Sequence, residues 1–305
     1  MTPCDVAPVE QAARRAAVYL YSQTGQLREV TEALTTSLID SGWNIRWINI
    51  EPRVPVPFPW PLRRFFGVFP ASVDPEALIE LSHPPEDLDS EPDELAVVAY
   101  QVWYLAPSLP VRSLLTAYPG VFRDREVVTV IACRNMWYSA AVEVCGLLRS
   151  AGALSVDVVA AIDTRPQAIT FVTTLRWLLT GRRDPFLRFG RAGVGDDELE
   201  RVADVGRAIA DSGRCPRDAA PVVPTLAVAD LLAGMAFRRC GATVRAAGRF
   251  GAAAQSLCLV AFVLGLGFGL VMFLPLIACA ALAGGTPLNK RVTEFVRSQT
   301  VFRSG

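Results

Sequence analysis

Ser22, Thr24 and Gly25 follow the apolar run Val18-Tyr19-Leu20-Tyr21 directly, and a helical pattern begins straight after them. Two hydroxyls and a glycine at such a junction suit the binding of an anion. A strand feeding a helix through a tight loop aims free backbone N–H groups and the positive end of the helix dipole at one point. Phosphate is stable there. Ser22 and Thr24 add hydroxyl donors, and Gly25 lets the backbone approach without a Cβ in the way. Ser22, Gln23, Thr24, Gly25 and Gln26 therefore form a candidate phosphate cradle. A plain strand–helix turn also favours hydroxyls and glycine.

Two further loops carry aromatic residues. Gln101 to Ser108 includes Trp103 and Tyr104, and Cys133 to Tyr138 includes Asn135, Met136 and Trp137. One anion site flanked by two aromatic loops suits a flat ring system with a terminal phosphate, such as flavin mononucleotide (FMN). Trp103, Tyr104 or Trp137 can stack on the rings, and Asn135 can bond the ring edge. Each also has an ordinary use: Trp103 and Tyr104 as packing, and Arg134 to Trp137 as a helix cap. Cys133 reads as an inert buried thiol rather than an activated one.

The elements that must position these loops can be read from periodicity. Leu27, Val30, Leu34 and Leu38 recur at helical spacing, and Ser41-Gly42 stops that helix. Residues 43–50 alternate as a strand with one covered face. Residues 95–100, 127–132 and 156–162 are continuous apolar runs, as expected of strands buried on both faces. With helical stretches between them, these strands predict a parallel α/β sheet covered on both sides. In such sheets ligands bind beyond the strands' carboxyl ends, where all three loops fall. Residues 52–66 interrupt the rhythm with alternating prolines and Val54, Val56, Phe58, Trp60, Phe65 and Phe66. That pattern predicts an extended surface excursion lidding the sheet, or a docking surface for an apolar substrate or the membrane. Further helices are expected over 168–180, 196–211 and 225–249.

Ser22-x-Thr24-Gly25-x resembles the phosphate loop of the flavodoxin family, Ser/Thr-x-Thr-Gly-x-Thr, with Leu27 in place of the last hydroxyl. The longer string Tyr21 to Leu27, the Pro55-to-Trp60 stretch with Phe65-Phe66, and Arg134-Asn135-Met136-Trp137 are similar to one bacterial branch. That branch is the flavodoxin-like proteins termed dialkylresorcinol condensing enzymes. Trp177 to Arg183 and Gly193 to Asp211 resemble the tail of flavodoxin-like NAD(P)H-dependent oxidoreductases. The similarity covers about residues 16–215. It implies an open five-stranded parallel sheet of order 2-1-3-4-5 with helices on both faces, and FMN as cofactor with NAD(P)H as a possible reductant. It also implies a role in making fatty-acyl-derived aromatic lipids.

Composition sets the outer limits. Acidic and basic residues number 30 each in 305, so no bulk charge recruits nucleic acid. Seven Cys at irregular spacing and one His, His83, argue against a disulfide framework and against a metal site. The first residues, polar and acidic, do not read as a signal peptide. Ser256 to Leu282 contains no charge in 27 residues, roughly 40 Å of helix against a hydrocarbon core of roughly 30 Å. It reads as a transmembrane helix. Arginines on both flanks leave a single span and a kinked hairpin both open, with the main domain cytoplasmic in either case.

The expected organisation is an N-terminal extension (1–15), a flavodoxin-like domain (16–215), a helical connector (216–255), the membrane segment (256–282) and a tail (283–305). Three functions fit: a membrane-anchored flavin enzyme acting on an apolar acyl or aromatic substrate, a flavin electron carrier, or a flavin-free scaffold holding a biosynthetic partner enzyme at the membrane lipid.

Overall fold

The protein is represented by a computed structural model that describes residues 14–82, 88, 91, 93–283 and 285–304; for 270–283 and 286 only the backbone is described. His83 and the first 13 residues lie outside this set. The chain begins with strand β1 (Arg15–Leu20), helix α1 (Gln26–Asp40) and strand β2 (Asn44–Asn49). Two short helices follow the proline stretch, α2 (Leu62–Gly67) and α3 (Phe69–Ser72). Strand β3 (Glu94–Tyr100) leads into a tiny hairpin, β4 (Val102–Trp103) and β5 (Ala106–Pro107), then helix α4 (Leu109–Ala117). Strand β6 (Glu126–Cys133), helix α5 (Tyr138–Ser150) and strand β7 (Ser155–Ile162) complete the parallel core. The remainder is helical: α6 (Gln167–Thr180), α7 (Asp196–Ser212), α8 (Pro224–Gly248), α9 (Ala252–Ala283) and α10 (Thr286–Thr300). A two-residue strand, β8 (Phe302–Arg303), comes last.

The main sheet has the order β2-β1-β3-β6-β7-β8. Its first five strands are parallel and, in chain order, give the doubly wound 2-1-3-4-5 arrangement expected from the resemblance. The sheet has six strands rather than the expected five. β8 pairs antiparallel with β7, Phe302 opposite Val156 and Arg303 opposite Ser155. Two residues are too few to show any alternation, so only the neighbouring edge makes Phe302 and Arg303 a strand.

Alternate residues of each strand enter two separate apolar layers. Ala17 and Tyr19 of β1 join one layer with α4, α5 and Val296 of α10. Ala16, Val18 and Leu20 join the other with Leu27, Val30, Leu34 and Leu38 of α1 and Val202, Val205 and Ile209 of α7. The period of two along a strand produces this division. The four α1 side chains are fully buried, each contributing roughly 1.5–3 kcal/mol. On the same side α7 packs directly on α1. A Cβ on Gly206 would lie 2.4 Å from the Leu34 carbonyl oxygen, so only glycine permits this approach.

Residues 216–255 hold α8, which packs against α3, α5 and α10. Its Asp230 is fully buried and accepts the Tyr138 and Ser139 N–H groups at 3.2 and 2.9 Å, capping α5. Helix α9 is long and apolar enough to cross a membrane and turns back along α8.

Candidate functional site

At the carboxyl edge of the sheet, the β1 and β3 loops leave in opposite directions, forming the switch point of a doubly wound fold. Gly25 caps α1 with φ of +84°, a left-handed conformation that costs other residues about 1–2 kcal/mol. The Ser22 hydroxyl accepts the Arg28 N–H at 3.4 Å. Among the described residues, the N–H groups of Thr24, Gly25, Gln26 and Leu27 donate to no protein group. Four consecutive free amides at a helix start are an arrangement that suits an anion.

Leu27 is fully buried between α1 and the sheet. Its side chain serves the core, and only its N–H is left to the loop. The Gln26 side chain is also turned inward. With its amide oxygen facing them, it accepts from Arg183 Nη2 at 3.3 Å and from the Val194 N–H. Glu29, in the first turn of α1, would oppose an anion, but Arg183 and Arg191 pair with it at 2.5 and 3.6 Å.

Gln23 ties the cradle to the proline stretch. Its Nε2 donates to the Pro57 carbonyl at 2.9 Å, and its Oε1 accepts Trp60 Nε1 at 3.0 Å. Gln101, the first residue after β3, joins the first two loops: Oε1 accepts the Gln23 N–H at 3.4 Å and Nε2 donates to Thr24 Oγ1 at 3.5 Å. Sequence reading placed Gln101, Trp60 and Arg183 in stretches of interest but gave none of them a role at the cradle; only the position of Gln101 directly after a buried strand hinted at one.

The second loop is a two-residue hairpin turn. Tyr104 and Leu105 both have positive φ, 52° and 64°, the backbone such a turn requires though without the usual Asn or Gly. Trp103 lies edge-on to Trp60 at 5.4 Å and to Tyr21 at 5.9 Å. Tyr104 points away from the cradle, its hydroxyl donating to the Phe65 carbonyl at 2.6 Å and its ring lying against Phe65 and Phe69. Trp103 and Tyr104 thus occupy different neighbourhoods.

In the third loop Asn135 has φ of +104° and is buried, and its N–H donates to Cys133 Sγ at 3.3 Å. Met136 is half-buried, and Trp137, 1% exposed, stacks on Tyr138 with ring centroids 4.4 Å apart. Burial pushes the Cys133 thiol up to about 12 despite amide donation from Asn135 and Met136, so it is no thiolate nucleophile at neutral pH.

Five buried side-chain polar atoms lack a partner among the described residues, on Tyr100, Ser108, Asn135, Trp137 and Thr174. Four of these residues end β3 or lie in the loops after β3 and β6. Buried polar groups are rarely left unpaired, so this edge has capacity for a ligand's polar atoms. With the free amides of residues 24–27, it fits a phosphate-bearing cofactor.

No family model matches the chain, and no curated protein does. Among solved structures, a flavodoxin from the domain Archaea is similar with a TM-score of 0.37 and 12% identity, covering 65% of this chain and 96% of that one. NAD(P)H:quinone oxidoreductase from Methanothermobacter marburgensis is similar with a TM-score of 0.32 and 13% identity, covering 65% and 98%.

Proposed function

We propose that the chain is a membrane-anchored, flavin-binding oxidoreductase of flavodoxin-like fold, with FMN held at the switch point and an apolar, acyl-derived aromatic molecule as substrate. The observation that carries this reading is the run of four free amides, Thr24 to Leu27, beside loops whose buried polar atoms lack partners. The amides and the Thr24 hydroxyl would hold the phosphate, with Gly25 permitting close approach. Asn135 would meet the ring edge, and Trp103 would border it. Bound FMN would supply electron or hydride transfer, which no side chain here offers alone.

The substrate class is supported by the aromatic surroundings. From the cradle, ring contacts run Tyr21–Trp103–Trp60–Phe65–Tyr104–Phe69 and end on Phe262 of α9. Four of these rings, Tyr21, Trp103, Trp60 and Phe69, are buried, so the series is an apolar interior that joins α9 to the cradle. NAD(P)H as reductant rests on the resemblance of residues 177–183 and 193–211, and a role in dialkylresorcinol-type lipid synthesis on that of residues 21–27, 55–66 and 134–137. Anchoring rests on α9, helped by the flanking arginines.

The deciding experiment compares FMN with riboflavin. Detergent-purified full-length protein should quench and retain FMN but bind riboflavin at least tenfold more weakly, because the grip is on the phosphate. Failure to bind either would eliminate the flavin reading and leave a scaffold for a biosynthetic partner. Turnover of a small acceptor with NAD(P)H would separate an enzyme from an electron carrier.

A further inference from the structure

We infer that the apolar helix α9 enters and leaves the bilayer on one face, the face that bears the α/β domain. This rests on the membrane reading above and replaces a crossing with a re-entrant anchor. Both ends of α9 are fastened to the same body. At its start, Arg249–Gly251 turn the chain back from α8, and Phe262 stacks on Phe69 of α3 with centroids 3.8 Å apart and planes 12° apart. Phe237 of α8 closes on the same ring from the side at 5.5 Å.

At its far end the chain returns at once. Helix α10 begins three residues after α9 ends and buries Val296 in the layer that holds Leu148 and Val156. Strand β8 then pairs with β7, the Ser304 N–H donates to the Leu154 carbonyl at 2.8 Å, and Arg303 meets Asp157 at 3.0 Å. A single crossing of a hydrocarbon layer roughly 30 Å thick would put α10 and β8 across the membrane from β7. That pairing and a single crossing exclude each other.

The lipid face is chosen by chemistry. Residues 224–305 contain eight Arg or Lys and only two acids, Asp230 and Glu294, and Asp230 is fully buried. Arg249 before α9 and Lys290 and Arg291 after it are exposed, where anionic headgroups would meet them. Phe250, at the turn between α8 and α9, is 86% exposed. An in-plane surface helix needs a polar side, and α9 has none, so its free surface calls for hydrocarbon. In this structure α9 is one unbroken helix, so re-entry requires it to kink within the hydrocarbon, and Gly265, Gly267 and Pro275 are the positions at which a kink costs least.

The test places one epitope tag before Met1 and another after Gly305 of the full-length chain. Sealed right-side-out and inverted vesicles from the expressing cells are then treated with protease. Both tags should be protected together in one preparation and cleaved together in the other, to within twofold. Protection of one tag with cleavage of the other in the same vesicles overturns the inference while leaving the anchor intact. Complete release of the chain by alkaline carbonate overturns the membrane reading itself and the inference with it.

Discussion

Trp60 donates its indole N–H to Gln23 Oε1 at 3.0 Å, which joins the anion cradle to the proline-rich strap over the sheet edge. The Gln23 amide also reaches Pro57, and the Trp60 N–H donates to the Leu178 carbonyl at 2.8 Å. The strap is held to the domain from both sides of Trp60. Gln23→Ala removes two bonds and leaves a buried indole N–H unpaired, a cost of about 1–3 kcal/mol. A lowered denaturation midpoint with altered tryptophan fluorescence is expected. An unchanged midpoint would show that the strap holds without this residue.

Gly25→Val should abolish FMN retention. A β-branched residue at φ of +84° is strained by about 1–2 kcal/mol or more and would swing the Thr24 and Gly25 amides out of register. Thr24→Val keeps the backbone and removes one hydroxyl, so its loss of affinity should be smaller, roughly tenfold. Fluorescence titration ranks the two, and equal affinity for wild type and both variants would contradict the cradle.

Gly206→Ala should destabilise the fold by about 1–3 kcal/mol, because its methyl would meet the Leu34 carbonyl at 2.4 Å and force α7 from α1. Ser37→Ala, which loses one bond to the Ala203 carbonyl at 2.9 Å, should cost about 1 kcal/mol. Thermal unfolding gives both values, and a neutral Gly206→Ala would mean that the helices separate freely.

Asp230 makes stability depend on pH. Burial pushes its carboxyl up from 3.8 to about 6, against N–H donation from Ser139 and Tyr138 and the nearby Arg238 charge. The folded value exceeds the unfolded one, so the protonated form favours folding. This contribution is complete below about pH 4 and is lost as pH rises through about 6, up to about 3 kcal/mol. Asp230→Asn should therefore gain Tm relative to wild type between pH 4 and 7. A constant difference across that range would refute the assignment.

Cys133 is only partly covered, but its surroundings push the thiol up to about 12, so alkylation at pH 8 should be slower in the folded protein than in the unfolded chain. Mass spectrometry of carbamidomethylated peptides resolves it from the other cysteines. Rapid native-state labelling would show a thiol more accessible than its packing indicates.

The parallel sheet was legible in the sequence because its signals are local. Alternation marked β2, apolar runs marked β3, β6 and β7, and the hydroxyl–glycine junction marked the start of α1. What escaped depends on distant partners. Nothing local shows that Gln101 will bridge two loops, or that Tyr104 and Leu105 will accept positive φ in a turn with no glycine. The same holds for β8, which is a strand only because β7 offers an edge. The inward turn of Gln26 likewise follows from Arg183 and Val194, more than 150 positions away.

The outermost pairing has one more effect. Without its last residues the molecule would bare the β7 edge at Ser155 and Val156, the two positions that β8 covers, and uncovered strand margins nucleate intermolecular sheets. Trimming the chain after Thr300 should therefore give protein that polymerises in a concentration-dependent way, and the final turn of sequence doubles as a guard against that fate.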